Sequence, residues 1–252
     1  MNFTISKRAG TISVALIAVG ALATIAGVVG DHSDHHQRSW SALLVNGFFF
    51  LGIGLGALFF YALQKATESA WSVLVLRVYE AIMGWIPVGA AVMVVVLAAG
   101  SLHLHHIYHW MDASLYDPAS PNFDAVIAGK KAFLNQPFYW LRTLAYLATF
   151  ILFARWFRKK SLEMDGLTGD SLVRTHLLTY RRGALFLVLF AVFSSTLAWD
   201  WLMSIDAHWF STLFGWYVFS GMWVSAMTAA VILVLYLKRK GYLPQVNSSH
   251  IH

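Results

Sequence analysis

Long apolar stretches alternate with short polar ones along the whole of this chain. Neither the two-residue alternation of a half-buried strand nor the polar face of a surface helix is sustained within them. A helix needs about 20 apolar residues to cross the hydrocarbon core of a bilayer. Six stretches approach that length and predict six membrane helices: residues 11–30, 41–63, 81–102, 138–157, 183–199 and 212–237. A short interfacial stretch over residues 70–80 precedes the third, and Pro137 suits the first turn of the fourth. The fold class is therefore all-α, a polytopic helix bundle forming a single transmembrane domain over residues 1–252.

Composition agrees with that reading. The chain is 58% hydrophobic and only 12% charged, against about 25% charged in soluble domains. The first apolar run follows Lys7 and Arg8 but is too long for a signal-peptide core and lacks a small-residue cleavage motif, so it reads as an uncleaved helix. The absence of cysteine excludes a covalently attached c-type haem, a cysteine-ligated iron–sulfur cluster and any disulfide. The net charge of +6 does not indicate nucleic acid as a partner, because the basic residues sit between apolar segments instead of forming a stripe.

Those residues do predict orientation. With the N-terminus placed in the cytoplasm, fourteen of the eighteen lysines and arginines fall in inner segments, and only Arg38, Lys130, Lys131 and Arg142 fall outside. The histidines sort the other way: His32, His35, His36, His103, His105, His106, His109 and His208 are all external. Two connections are long. The outer one, residues 103–137, carries turn signals at Asp117-Pro118 and Ser120-Pro121, and the inner one, residues 158–182, is strongly basic.

Two constellations could carry chemistry. The end of the third helix reads SLHLHHIYHWMD from Ser101 to Asp112. If helical, it sets His105 and His109 on one face, and His103 with His106, and His106 with His109, one turn apart. These histidines suit a metal, an axial haem b bond, or proton relay and quinol hydroxyl binding. They equally suit a hydrated interfacial segment. Metal sites need three or four converging ligands, and no other helix offers a central histidine for haem. The second constellation joins the fifth and sixth helices: Asp200, Asp206 and His208 among Trp199, Trp201, Trp209 and Phe210. Carboxylates at the edge of lipid are proton-transfer candidates. The competing reading is an aromatic belt in which Asp206 or Ser211 caps the sixth helix. Asp200, Asp206, His208 and the four clustered histidines are all expected at the outer face, close to one another. Arg142, one turn inside the fourth helix, either snorkels outward or pairs with Asp200 or Asp206. Glu80 is a candidate for taking up protons from the cytoplasm, or a simple interfacial acid. Gly52 and Gly56 form a small-xxx-small face and predict close helix packing.

Three strings together resemble the F subunit of bacterial alternative complex III, a quinol:electron-carrier oxidoreductase. They are GKKAFLNQPFYWLR from Gly129 to Arg142, AWDWLMSIDAHWFSTLFGWYVF from Ala198 to Phe219, and YLKRKGYL from Tyr236 to Leu243 followed by SSHIH from Ser248 to His252. The resemblance runs from the first helix to the last residue. It implies a polysulfide-reductase-like membrane subunit of about ten helices in the bacterial cytoplasmic membrane. Its expected partners are a paralogous C subunit, haem-bearing subunits, a terminal oxidase, lipid and quinol. Haems and iron–sulfur clusters are expected on those partner subunits, and this chain is expected to hold no covalent cofactor, with quinone as its ligand and proton conduction as a second role. The family continues for about four helices beyond the SSHIH string, so a partial chain is expected, against a naturally short one. Two further departures are the short outer segment Asp31 to Trp40, and Asp206-Ala207-His208 where the family has Asp-Pro-His. A secondary transporter or channel is the competing function, although the spans are nearly free of charge at their middles. A purely structural scaffold in the same complex is the third.

Overall fold

The computed structural model describes residues 6–247 and residue 250. Of the last family-like string, Ser248, Ser249, Ile251 and His252 lie outside the described residues. The described residues form helices and turns without strands. The eight α-helices are α1 (Lys7–Val29), α2 (Gln37–Ala66), α3 (Leu76–Met83), α4 (Ile86–Ser101), α5 (Ala125–Gly129), α6 (Gln136–Met164), α7 (Gly169–Trp201) and α8 (Phe214–Arg239). Six helical segments are long and apolar enough to cross a membrane, α3 and α4 together making one of them. The chain is thus an all-α, multi-pass membrane protein.

α2 is the central helix and packs against α8, α7, α4 and α3. Its glycines permit this. A Cβ on Gly56 would lie 2.5 Å from the Met222 carbonyl oxygen and 2.7 Å from the Ala226 Cβ, both on α8. The glycine face predicted for close packing is therefore used inside the chain, and backbone approaches backbone where no side chain intervenes. Aromatic rings fill the space between α2, α6, α7 and α8: Phe59 meets Phe190, Phe219 and Trp223, and Phe150 meets Phe186, Phe190 and Phe193. α1 stands apart from this packing and buries none of its residues.

Four differences from the sequence expectation have local causes. The third span breaks into α3 and α4 at Gly84 and Trp85, because Pro87 in the first turn of α4 has no N–H for the Met83 carbonyl. The same span ends at Ser101, and His103 takes the left-handed φ of 57°. Residues 102–108 are consequently a loop, and the helical i, i+4 relation between His105 and His109 is not formed. The basic inner connection is mostly helix, since α6 continues to Met164 and α7 begins at Gly169. Charge bounds the membrane segment, but lysine, arginine, leucine and glutamate are all good helix formers. The sixth helix starts at Phe214 with Leu213 as its N-cap, so neither Asp206 nor Ser211 caps it.

The long connection between α4 and α6 folds over one end of the bundle. Trp110 is buried against Tyr139, and the Tyr116 hydroxyl donates to the Trp110 and Leu134 carbonyls at 2.7 and 3.2 Å. Its turns use the expected residues: Asp117 Oδ1 accepts from Ala119 N at 2.9 Å and Ser120 Oγ from Asn122 N at 3.1 Å. This histidine-rich end lies opposite the basic ends of α6, α7 and α8.

Candidate functional site at the histidine-rich end

α6 begins where Asn135 caps it, its side chain accepting from Phe138 N at 3.0 Å, with Pro137 in the first turn. That start fixes the phase of the helix and turns Tyr139, Thr143, Tyr146 and Phe150 inward. Arg142 shares the edge of this face. On α7 the inward face includes Ser194, Leu197, Asp200 and Trp201. Where the two faces meet, Arg142 grips Asp200: Nε to Oδ2 at 2.8 Å and Nη2 to Oδ1 at 2.6 Å. Tyr146 Oη donates to Oδ2 at 2.7 Å, and the Ser204 hydroxyl donates to the Asp200 carbonyl. Asp200 is 0% exposed.

The guanidinium is enclosed as well. Its carbon lies 3.9 Å from the Phe133 ring centre and 4.1 Å from that of Phe138. Nη2 also donates to the Phe133 carbonyl at 3.1 Å. Arginine stacks well on aromatic faces and forms two parallel bonds with a carboxylate. Arg142 therefore does not snorkel to the surface. Its Nη1 is buried with no hydrogen-bond partner among the described residues, as are Tyr139 Oη and Trp199 Nε1. These donors lie within a turn of Arg142 on α6 or next to Asp200 on α7.

The other candidate residues form separate groups. Exposed His208 bonds Asp124 at 2.7 Å through Nε2, and its Nδ1 is 3.9 Å from Asp206. Asp206 is exposed and caps its own turn, accepting from His208 N at 3.1 Å. Asp124 also caps α5, and its bonds from the Ile127 and Val126 amides, together with His208, hold its carboxyl below the usual range. Lys130 ties the two loops together by donating to the Ala207 carbonyl at 2.5 Å.

His105 is 1% exposed. Its Nε2 lies 3.0 Å from the Val96 carbonyl, and its Nδ1 accepts from Ile107 N at 3.2 Å. An Nε2–H tautomer satisfies both bonds and leaves neither nitrogen for another ligand. Burial pushes its pKa down, opposed in part by the Val96 bond. His103, His106 and His109 are exposed and line a shallow hollow of about 320 Å³ with Asp112. His106 packs edge-on against His35 at 4.4 Å. Among the described residues, no three His, Asp or Glu side chains are arranged to hold a metal ion.

The structure thus brings Arg142 to Asp200, and His208 to Asp124 and Asp206. No hydrogen bond or ion pair among the described residues joins the histidine loop to Asp200 or His208. The loop reaches the fifth-to-sixth connection through Tyr108, whose hydroxyl donates to the Trp201 carbonyl at 2.8 Å. Tyr146, Phe133, Phe138 and Tyr108 were not anticipated from the sequence. Tyr146 carried a usable signal, since it stands four residues after Arg142 and so shares its helix face.

Glu80 lies at the opposite, basic end. It is 2% exposed and pairs with Arg77 at 3.2 Å and Arg158 at 3.4 Å, and it accepts from Ser161 Oγ at 2.5 Å. It is therefore a buried acid with three partners, not a freely solvated interfacial one.

Comparison with models of known protein families and with curated proteins gives no match.

Proposed function

We propose that this chain is a membrane subunit of a bacterial respiratory quinol:electron-acceptor oxidoreductase of the alternative complex III type, seated beside quinone and contributing to proton movement at the outer face. The observation that supports this reading is the Arg142–Asp200–Tyr146 network. It joins two of the three strings on which the family resemblance rests, Gly129 to Arg142 and Ala198 to Phe219. Ionisable residues within membrane segments are functional candidates by default, and this pair is buried with a tyrosine hydroxyl on it.

The residues fit a quinone in one specific respect: its oxygens need donors, and Arg142 Nη1 is a buried donor without a partner among the described residues. A quinol supplies two electrons and two protons when it is oxidised. The residues of this chain act on the protons and on orientation. Arg142 Nη1 would donate to a quinone oxygen. Tyr146 Oη keeps its proton directed at Asp200 Oδ2. The Phe133 and Phe138 rings exclude water from the guanidinium. The chain has no cysteine for a c-type haem or an iron–sulfur cluster, so in this reading electrons would pass to such groups on partner subunits, among them a paralogous C subunit and a terminal oxidase. In this reading the histidine-rich end faces outward and both ends of the described segment face the cytoplasm.

A structural role for the same network is the second reading, favoured by the complete burial of Asp200. Asp200→Asn keeps the size of the side chain and an acceptor for Tyr146 but leaves the Arg142 charge unpaired, so it separates the two only where the assembly and unfolding temperature of the variant match wild type. In the assembled complex, the expected result is quinol-dependent turnover lowered about a hundredfold or more, within the range for loss of a proton-transfer group. Wild-type turnover between about pH 6 and 8, where histidine titrates, would leave Asp200 with a structural role alone.

A further inference from the structure

At the basic end of the bundle, the break between α3 and α4 leaves a cleft of about 440 Å³ against α6. Its floor is apolar: Met83, Pro87 and Ala154. Its rim carries Arg155 and Arg158 from α6, with the buried Glu80 of α3 beneath them. Beside the cleft, exposed apolar side chains point outward: Trp85 at the break, Val88 on α4 and Leu152 on α6. One end of the cleft is thus cationic and polar, and the other opens along a hydrocarbon wall.

The charges are unequally used. Arg77 is shared between Glu80 and Asp165, at 3.2 and 2.5 Å, and donates to the Ser161 carbonyl at 3.1 Å. Arg158 is 3.4 Å from Glu80 through one nitrogen, Nη1. Two acids therefore offset Arg77 and Arg158. Arg155 has no ion pair or hydrogen bond among the described residues and is the uncompensated charge on the rim. A guanidinium presents five N–H donors in a plane and matches the oxygens of a phosphate. Glu80 does not repel such a group strongly, because its carboxylate is already engaged by Arg77, Arg158 and Ser161.

We propose that this cleft binds an anionic phospholipid, its headgroup phosphate on Arg155 and the outward donors of Arg158 and one acyl chain along Pro87, Val88 and Leu152. Basic pockets between membrane helices recognise anionic headgroups in this way. The apolar floor and the exposed wall commit the site to a lipid over free phosphate, which has no use for either. Such a lipid would also fill the gap that the α3–α4 break leaves beside α6.

The test uses the full chain purified in mild detergent, stripped of lipid and titrated with phosphatidylglycerol or phosphatidylcholine, bound lipid being counted by native mass spectrometry. Phosphatidylglycerol is expected to bind in preference. Arg155→Gln should weaken it about fivefold, the effect of one basic residue near an anionic lipid. Arg174→Gln, an exposed basic residue of α7 outside the cleft, should leave it unchanged. Ala81→Phe narrows the mouth without touching charge and should lower binding too, so the test does not depend on a single variant. Equal binding of phosphatidylcholine, equal loss in Arg155→Gln and Arg174→Gln, unchanged binding in both cleft variants, or full displacement by millimolar inorganic phosphate would each overturn the proposal.

Discussion

Arg142 and Tyr146 stand one helical turn apart on α6 and both donate to the same oxygen of Asp200, at 2.8 and 2.7 Å. The two are not equivalent. Arginine supplies the only charge paired with the fully buried Asp200 carboxylate among the described residues, whereas tyrosine supplies one neutral hydrogen bond. Arg142→Met should cost about 3–5 kcal/mol, the penalty of leaving one member of a buried pair alone. Tyr146→Phe should cost about 1.5–3 kcal/mol, the value of a bond to a charged group. Thermal unfolding of the purified variants in one detergent checks the order. Equal losses would show that the charge is not what holds α6 to α7 here.

The close approach of α2 and α8 makes a second expectation. At Gly56 even an alanine Cβ would press on the Met222 carbonyl, a backbone atom that cannot swing aside. Gly56→Ala should destabilise by about 1–3 kcal/mol, as overpacking does, and Gly56→Leu more. Gly221, where a Cβ meets nothing within 4 Å, is the control, and Gly221→Ala should leave the unfolding temperature almost unchanged.

His105 gives the histidine loop a pH dependence of known sign. Its pKa is lowered in the folded chain by burial, and protonation would also remove the lone pair that accepts from Ile107 N. The unfolded loop therefore binds a proton more readily than the folded one. The stabilisation is fully present above the unfolded value, about 6.5, and is lost as pH falls from there towards the folded value. Amide hydrogen exchange at Ile107 should quicken, after correction for intrinsic rates, as pH drops below about 6.5. His105→Gln should flatten that dependence. A protection factor that stays level through the same range would show that the ring is not the titrating group.

Orientation is checked chemically, and the natural absence of cysteine makes this direct. Ala119 in the long connection after α4 and Ser171 near the start of α7 are both exposed. With the basic end in the cytoplasm, a cysteine at Ala119 should react with an impermeant reagent added outside intact cells and one at Ser171 should not. The reverse labelling pattern would invert the assignment.

The six spans were legible because apolar length is a property of the segment itself. The pairing of Arg142 with Asp200 was legible as one of a few choices, since both sit a turn inside the same end of the bundle. What sequence could not supply was long-range register. Two elements far apart in the chain, α5 with the turn after α7, are joined by Asp124 and His208, and nothing local to either residue announces the other. The histidine cluster misled for a different reason. Its spacing suits a helix, but the chain leaves the helical region at His103, and an i, i+3 or i, i+4 spacing carries no information once the helix has stopped. Glu80 looked solvated because it lies at the polar end of its span, whereas α6 continues past the apolar stretch and brings Arg158 and Ser161 over it.

Membership of a respiratory complex is tested most directly by purifying the affinity-tagged chain from the membranes of the cells that make it, in mild detergent, and recording visible spectra before and after adding a quinol. The expected result is a stoichiometric assembly whose other subunits carry haem, reduced by the quinol within the time of mixing. A chain that emerges alone, or with partners that show no haem absorbance and no reduction by quinol, would contradict it.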